Sequence, residues 1–167
     1  FYIKDGDTVW TPGFRPVKTP LDKYECRHGM GYTVIHGEKN GLSADCTYFV
    51  PMDFAGEIHK VELTNNSDAT KDIDLHSFIE FSLWDGLDDQ TNYQRNLSVG
   101  EVEVEGNVIY HKTEYRERRN HFSFYSVNED ISGFDTDRED FLGIYNGYDR
   151  PATVFDKAPT NSIAVGW

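Results

Sequence analysis

The sequence predicts an all-β protein: two packed antiparallel sheets forming one sandwich domain over residues 1–167. Three observations predict it. Apolar residues recur with a period of two along most of the chain. Turn-forming residues separate the alternating stretches. No stretch carries the 3.6-residue stripe of an amphipathic helix. Short strands with turns between them suit a sandwich, and 167 residues suffice for one domain with a substantial core.

The elements follow in order. Phe1-Tyr2-Ile3 reads as extended chain, and Asp5-Gly6-Asp7 as a turn. Tyr32-Thr33-Val34-Ile35-His36 is β-branched and strand-like. In Leu42–Val50 the even positions are apolar and the odd ones mostly polar, the pattern of a half-buried strand. Between them lies Asn40-Gly41, which tolerates positive φ at both central positions of a hairpin turn. A second hairpin is expected from Glu57–Thr64 through the polar Asn65–Lys71 into Asp72–Trp84, where Ile73, Leu75, Ile79, Phe81 and Leu83 share one face. A third pairs Glu101–Glu105 with Val108–Lys112 across Gly106-Asn107. Asn120–Val127 and Phe141–Tyr145 add short strands, and Thr113–Asn120, mostly charged, offers at most a helical turn. The chain begins on Phe1 and ends on Ala164-Val165-Gly166-Trp167, apolar at both ends, so the expectation is a piece of a longer protein.

Lys and Arg total 16 against 29 Asp and Glu, a formal charge of −13. Such a chain repels phosphate backbones and anionic bilayers, which argues against nucleic-acid and membrane partners. No apolar run approaches the roughly 20 residues of a membrane-spanning helix. Two cysteines, Cys26 and Cys46, are too few for a disulfide framework and read as reduced thiols, so a cytoplasmic location is expected.

The oddest stretch is Trp84–Asn96, WDGLDDQTNYQRN, too long and varied for a simple turn. Asp88-Asp89 is not a glycosidase pair: neighbours on an extended chain point opposite ways and do not flank one bond. Asn92, Gln94 and Arg95 are different. Amides both donate and accept, as sugar hydroxyls do, and arginine adds a fork of donors. An ordinary solvated loop fits these residues too. Thr113–Arg119 is locally basic, but Glu114 and Glu117 interleave, which favours salt-bridged surface over an anion site. Tyr24–Tyr32 holds one Cys and one His, short of a zinc set, with Arg27 and His28 expected to be semi-buried. Asp5-Gly6-Asp7 and Asp135-Thr136-Asp137 lack the ligand series of a calcium loop and read as turns. No phosphate-cradling glycine loop, nucleophile elbow or dinucleotide fingerprint is present. No catalytic residue and no metal ligand is assigned within the chain.

Long strings do carry a resemblance. Tyr2–Trp10, Tyr24–Tyr32, Trp84–Asn96, Gly100–Gly106 and Ile109–His121 look like the N-terminal region of the glycoside hydrolase family 94 phosphorylases, with the members that act on cellobiose nearest in pattern. The resemblance runs nearly end to end. It implies a supersandwich of the galactose-mutarotase-like kind, followed in the full protein by a helical linker, an α/α barrel and a small C-terminal domain. It implies inverting phosphorolysis of a β-linked disaccharide, cellobiose giving α-glucose 1-phosphate and glucose. Inorganic phosphate is then a co-substrate and no cofactor is needed. An aspartic acid in the barrel protonates the leaving oxygen, so this chain alone is expected to be inactive.

The resemblance further implies a homodimer in which the sandwich loop reaches the partner's barrel. On that pattern Asn92, Gln94 and Arg95 contact the leaving sugar, and Asp85 joins them although family members can carry Asn there. The alternatives are a free-standing carbohydrate-binding module, a hydrolase with its own carboxylate pair, and a purely structural dimerisation domain.

Overall fold

The structure, a computed structural model, describes residues 1–81, 87, 91, 99–114 and 121–164. The chain divides into two compact units, 1–78 with 146–155 and 79–145 with 156–167. The described strands pair antiparallel throughout.

In the first unit, β1 (Tyr2–Asp5) and β2 (Thr8–Trp10) form a hairpin across Gly6-Asp7. Gly6 takes φ +59°, which glycine adopts without steric cost. β1 also pairs β7 (Ile73–His76), giving the sheet order β2-β1-β7. The second sheet runs β3 (Lys23–Gly29), β4 (Tyr32–Lys39), β5 (Leu42–Phe49), β6 (Ile58–Asn65) in sequence order. The β4–β5 turn is Asn40-Gly41 with φ of 50° and 76°, as the sequence predicts.

The two sheets pack through Ile3 and Trp10 on one and Leu42 and Ala44 on the other, all essentially inaccessible to water. Leu21 and Ile73 close the edge of that cluster. The alternation on β5 places Leu42, Ala44 and Cys46 inward. Fully burying a side chain of the Leu or Ile class contributes about 1.5–3 kcal/mol. Tyr2 lies on the opposite face of β1, where its hydroxyl donates to the Tyr148 carbonyl at 2.9 Å. That face is covered by the 146–155 segment, which carries the short helix α2 (Ala152–Phe155) with buried Thr153 and Val154. Asp5 and Lys71, both mostly buried, pair across this sheet.

The second unit contains the sheet β8 (Val99–Glu105), β9 (Val108–Glu114), β10 (His121–Ser126), order β10-β9-β8. Its β8–β9 turn is Gly106-Asn107, with Gly106 at φ +59°, and the predicted hairpin holds with strands longer than expected. Asn107 also ties the turn to the chain beyond β10, its side-chain amide donating to the Val127 carbonyl at 2.6 Å. Among the described residues no helix is long and apolar enough to cross a membrane.

Several expectations are corrected. β6 does not pair with the following strand; it pairs β5 in full register from Asn65 opposite Leu42 to Ile58 opposite Phe49. The linker explains this. Asn65 Oδ1 accepts from the Ser67 backbone and Nδ2 donates to the Ala69 carbonyl, so the chain turns away from β6 rather than folding back on it. β7 then joins β1, placing Ile3 opposite Leu75. It is four residues long, not thirteen, and Leu75 remains 45% exposed while Ile73 packs on the core. Leu83 and Trp84 lie outside the described residues.

Phe141–Tyr145 is not a strand. Phe141 and Leu142 are the buried end of α1 (Arg138–Leu142). The Asp137 carboxylate caps that helix, accepting from the amides of Glu139 at 2.7 Å and Asp140 at 3.3 Å. Five residues are too few to show a periodic stripe, but an Asp N-cap followed by acidic residues was a readable start signal. Arg27 and His28 are exposed on β3, an edge strand, rather than semi-buried.

Candidate functional site

Asp85, Asn92, Gln94 and Arg95 lie outside the described residues, as does the basic stretch 115–120. Of the Trp84–Asn96 stretch, Leu87 and Thr91 are described. Both have helical backbone and are exposed, and the Thr91 hydroxyl donates to the Leu87 carbonyl at 2.8 Å.

The described residues on either side of that stretch, Glu80 and Phe81 before it and β8 after it, both lie against β9 or α1 of the second unit. On the entering side, Glu80 receives Arg138 Nε of α1 at 2.6 Å, and the Phe81 ring lies 6.0 Å from the His111 ring. On the leaving side, β8 pairs β9 with Gly100 opposite Thr113. A Cβ on Gly100 would stand 3.0 Å from His111 Nε2, so the absence of a side chain there lets β8 close over the imidazole. His111 on β9 thus touches both stems. Burial lowers its pKa and favours the neutral ring. The Lys112 ammonium lies 6.0 Å from the centre of the Phe122 ring.

In the first unit the outward face of the four-stranded sheet carries a linked charge array. His36 of β4 contacts Asp45 Oδ1 through Nδ1 and Glu38 Oε1 through Nε2, each at 2.9 Å. Lys23 Nζ reaches the same Glu38 oxygen at 3.1 Å. The hydrogen bond to Glu38 raises the pKa of His36 most, with Asp45 adding to it. His36 and Lys23 lower that of Glu38.

Cys26 and Cys46 are free thiols, the second buried. Both lie opposite Ile35 in the register, on either side of β4. Two strand spacings, about 9–10 Å, separate them, beyond disulfide reach without backbone movement. Cys26 Sγ contacts His28 Nε2 at 3.5 Å. Among the described residues no three His, Cys, Asp or Glu side chains converge as metal ligands. Asp5-Gly6-Asp7 is the β1–β2 turn, and Asp135 accepts from the Thr160 amide at 2.8 Å.

Sequence reasoning missed one open cleft of about 320 Å3 at the far end of the four-stranded sheet. Gly29, Gly31, Tyr32, Tyr48, Phe49 and Glu57 line it. The readable signal is the Gly29-Met30-Gly31 turn, which joins β3 to β4. Nothing local indicates that residues of β5 and the residue before β6 border the same cleft as that turn.

The pattern of the glycosyl hydrolase 94 supersandwich domain matches residues 1–167. The chain is 34% identical to solabiose phosphorylase of Paenibacillus borealis over 168 residues, covering 99% of this chain and 22% of that protein. It is 30% identical to N,N'-diacetylchitobiose phosphorylase of Vibrio furnissii, covering 96% of this chain and 21% of the relative. To the enzyme of the same name from Vibrio proteolyticus it is 32% identical, with coverages of 96% and 21%. The chain therefore spans about a fifth of the length of the curated relatives it matches.

Proposed function

Because the chain belongs to the glycosyl hydrolase 94 family, as its supersandwich domain, we propose that it is the N-terminal, sugar-site-completing and dimer-forming domain of an inverting disaccharide phosphorylase. The observation that carries the reading is the match across residues 1–167 together with similarity to phosphorylases over nearly the whole chain. In the proposed reaction a phosphate oxygen bonds to the anomeric carbon as the glycosidic C–O bond breaks. The leaving oxygen takes a proton from a carboxylic acid of the barrel, and configuration inverts. Phosphate occupies the place that an activated water holds in an inverting hydrolase, so a second carboxylate is unnecessary. The product pair for cellobiose, our preferred substrate, is α-glucose 1-phosphate and glucose.

In this reading the present chain supplies no proton and no nucleophile. It supplies grip. Asn92, Gln94 and Arg95, with Asp85 beside them, bind the leaving-sugar hydroxyls in the barrel of a partner subunit. The fixed stems at Phe81 and β8 support the assignment, since positioning groups need a rigid base. No metal or organic cofactor enters, and the proposed protein works in the cytoplasm.

Two measurements test this. The isolated 167-residue chain, mixed with cellobiose and phosphate, is expected to release no glucose 1-phosphate; turnover by the pure chain refutes the division of labour. In the full-length protein, Arg95→Ala is expected to weaken use of glucose as acceptor in the reverse reaction by about tenfold or more, the worth of a charge-assisted hydrogen bond. Unchanged acceptor kinetics would return the loop to ordinary surface.

A further inference from the structure

We propose that β3 is a self-pairing edge: β3 of one subunit runs antiparallel to β3 of a second copy about a twofold axis at Cys26, so that Glu25 of each faces Arg27 of the other. The pairing deepens the dimer-forming role proposed above and rests on it, but it uses none of the loop residues 85–95.

The edge itself is open. β3 is the outer strand in the order β3-β4-β5-β6, and no other described strand pairs with its far side. Every residue of Lys23–Gly29 except Cys26 is exposed. Proteins blunt open edges with proline, bulges or very short strands. β3 has none of these: it is seven residues long, contains no proline and keeps unbroken register with β4 from Lys23 opposite Glu38 to Gly29 opposite Tyr32. Such an edge presents a row of backbone N–H and C=O groups that a second strand satisfies. The remaining edge device, charge, protects only against a strand whose charges match in sign.

The charges select a second copy and fix the register. With Cys26 opposite Cys26, Glu25 stands opposite Arg27 twice, Tyr24 opposite His28, and Lys23 opposite Gly29, so all seven residues pair and no like charges stand directly opposite. Slipping two residues one way sets Glu25 against Glu25 and Lys23 against Arg27; slipping two the other way sets Arg27 against Arg27. Side chains directly opposite have Cβ atoms about 4.5–5.5 Å apart, where unlike charges stabilise and like charges repel. Within one subunit Arg27 Nε already lies 3.4 Å from Glu25 Oε1, both side chains being about half exposed. The same two side chains of a second copy complete an alternating ring of four charges, and networks contribute where single surface pairs do not. β6, the opposite edge, also carries an unlike pair, Lys60 and Glu62, about a central Val61. There, however, Glu62 stands opposite Asp45, and Glu57 precedes the strand, so that edge is acidic. In a chain of formal charge −13, an acidic edge repels its copy, whereas β3 sets Lys23 and Arg27 against Glu25 alone.

The test uses the full-length protein, its mass read by sedimentation and its Cys26 thiols oxidised with copper–phenanthroline and read on non-reducing gels. Residues directly opposite across an antiparallel pair have Cα atoms about 4.5–5.5 Å apart, within disulfide reach. The wild type is expected to sediment as a dimer and to give a covalent dimer band that Cys26→Ser removes. Glu25→Arg and Arg27→Glu each set like charges opposite one another and are expected to slow cross-linking by about tenfold. The double variant Glu25→Arg with Arg27→Glu restores the unlike pairs and the rate, an outcome that a merely structural role of either residue does not produce. Both side chains are exposed, so the Tm of each variant stays close to wild type. A dimer whose Cys26 does not cross-link, as when another strand of the full-length protein covers β3, overturns the β3 pairing and leaves dimer formation standing. So does cross-linking that is the same in wild type and both single variants. A wild type that sediments as a monomer overturns the pairing and the dimer-forming role together.

Discussion

His36 is the residue whose surroundings make the sharpest prediction. It faces Asp45 across β5 and Glu38 along its own strand, with Glu25 of β3 opposite it, Lys23 of β3 opposite Glu38, and Glu62 of β6 opposite Asp45. Its folded pKa is raised, chiefly by Glu38. Below the ordinary histidine value of about 6.5, the ring is charged in both folded and unfolded chains, and the paired cation stabilises the fold in full. As pH rises through the raised folded value, that stabilisation is lost. Comparing wild type with His36→Gln therefore isolates a stability difference that shrinks from about pH 6.5 upward. His76 and His111 carry lowered values through burial and act in the opposite sense, but they are common to both proteins and cancel. A difference independent of pH between 6 and 8, on the order of the histidine range, would show that His36 is not held as described. Gly37, next in the strand, makes a steric prediction. An added Cβ would lie 2.8 Å from the Pro12 carbonyl oxygen and 3.0 Å from Pro12 Cα, which are backbone atoms unable to swing away. Gly37→Ala should cost about 1–3 kcal/mol in denaturant unfolding; a neutral result would mean the Pro12 loop gives way freely.

At the scale of elements, two hairpins were legible because their turns state their own geometry. Asn40-Gly41 and Gly106-Asn107 fix chain reversal and register locally, and the alternation of β5 fixes which side is buried. The Glu57–Trp84 expectation failed because alternation names a face but not a partner. β6 and β7 both alternate, and only the shape of the Asn65–Ala69 linker and the apolar edge of β1 decide that they enter different sheets. α1 was missed because a five-residue helix is defined by its cap rather than by a stripe. The cap is testable: Asp137→Ala should destabilise α1 by about 1 kcal/mol and speed amide exchange of Phe141 and Gly143, whose amides bond to Asp137 and Glu139 carbonyls. Unaltered exchange would make the cap dispensable. The candidate site divides in the same way. Asp85, Asn92, Gln94 and Arg95 rest on composition and resemblance and lie outside the described residues, whereas the cleft at the Gly29-Met30-Gly31 turn draws its lining from β3, β4, β5 and the residue before β6, which no local pattern joins.

At the scale of the whole molecule, the chain is about a fifth of the relatives it matches and contains no assigned acid or nucleophile. The central claim is that its loop completes a sugar site in trans. The most direct measurement mixes two inactive full-length variants. One carries Asn92→Ala, Gln94→Ala and Arg95→Ala together; the other lacks the catalytic acid of its barrel. If the loop serves the partner subunit, a mixed dimer joins an intact loop from one subunit to an intact barrel of the other, and glucose 1-phosphate formation returns on mixing. If activity stays at the level of the separate variants although mixed dimers form, the loop does not act across the subunit boundary, and the account is contradicted.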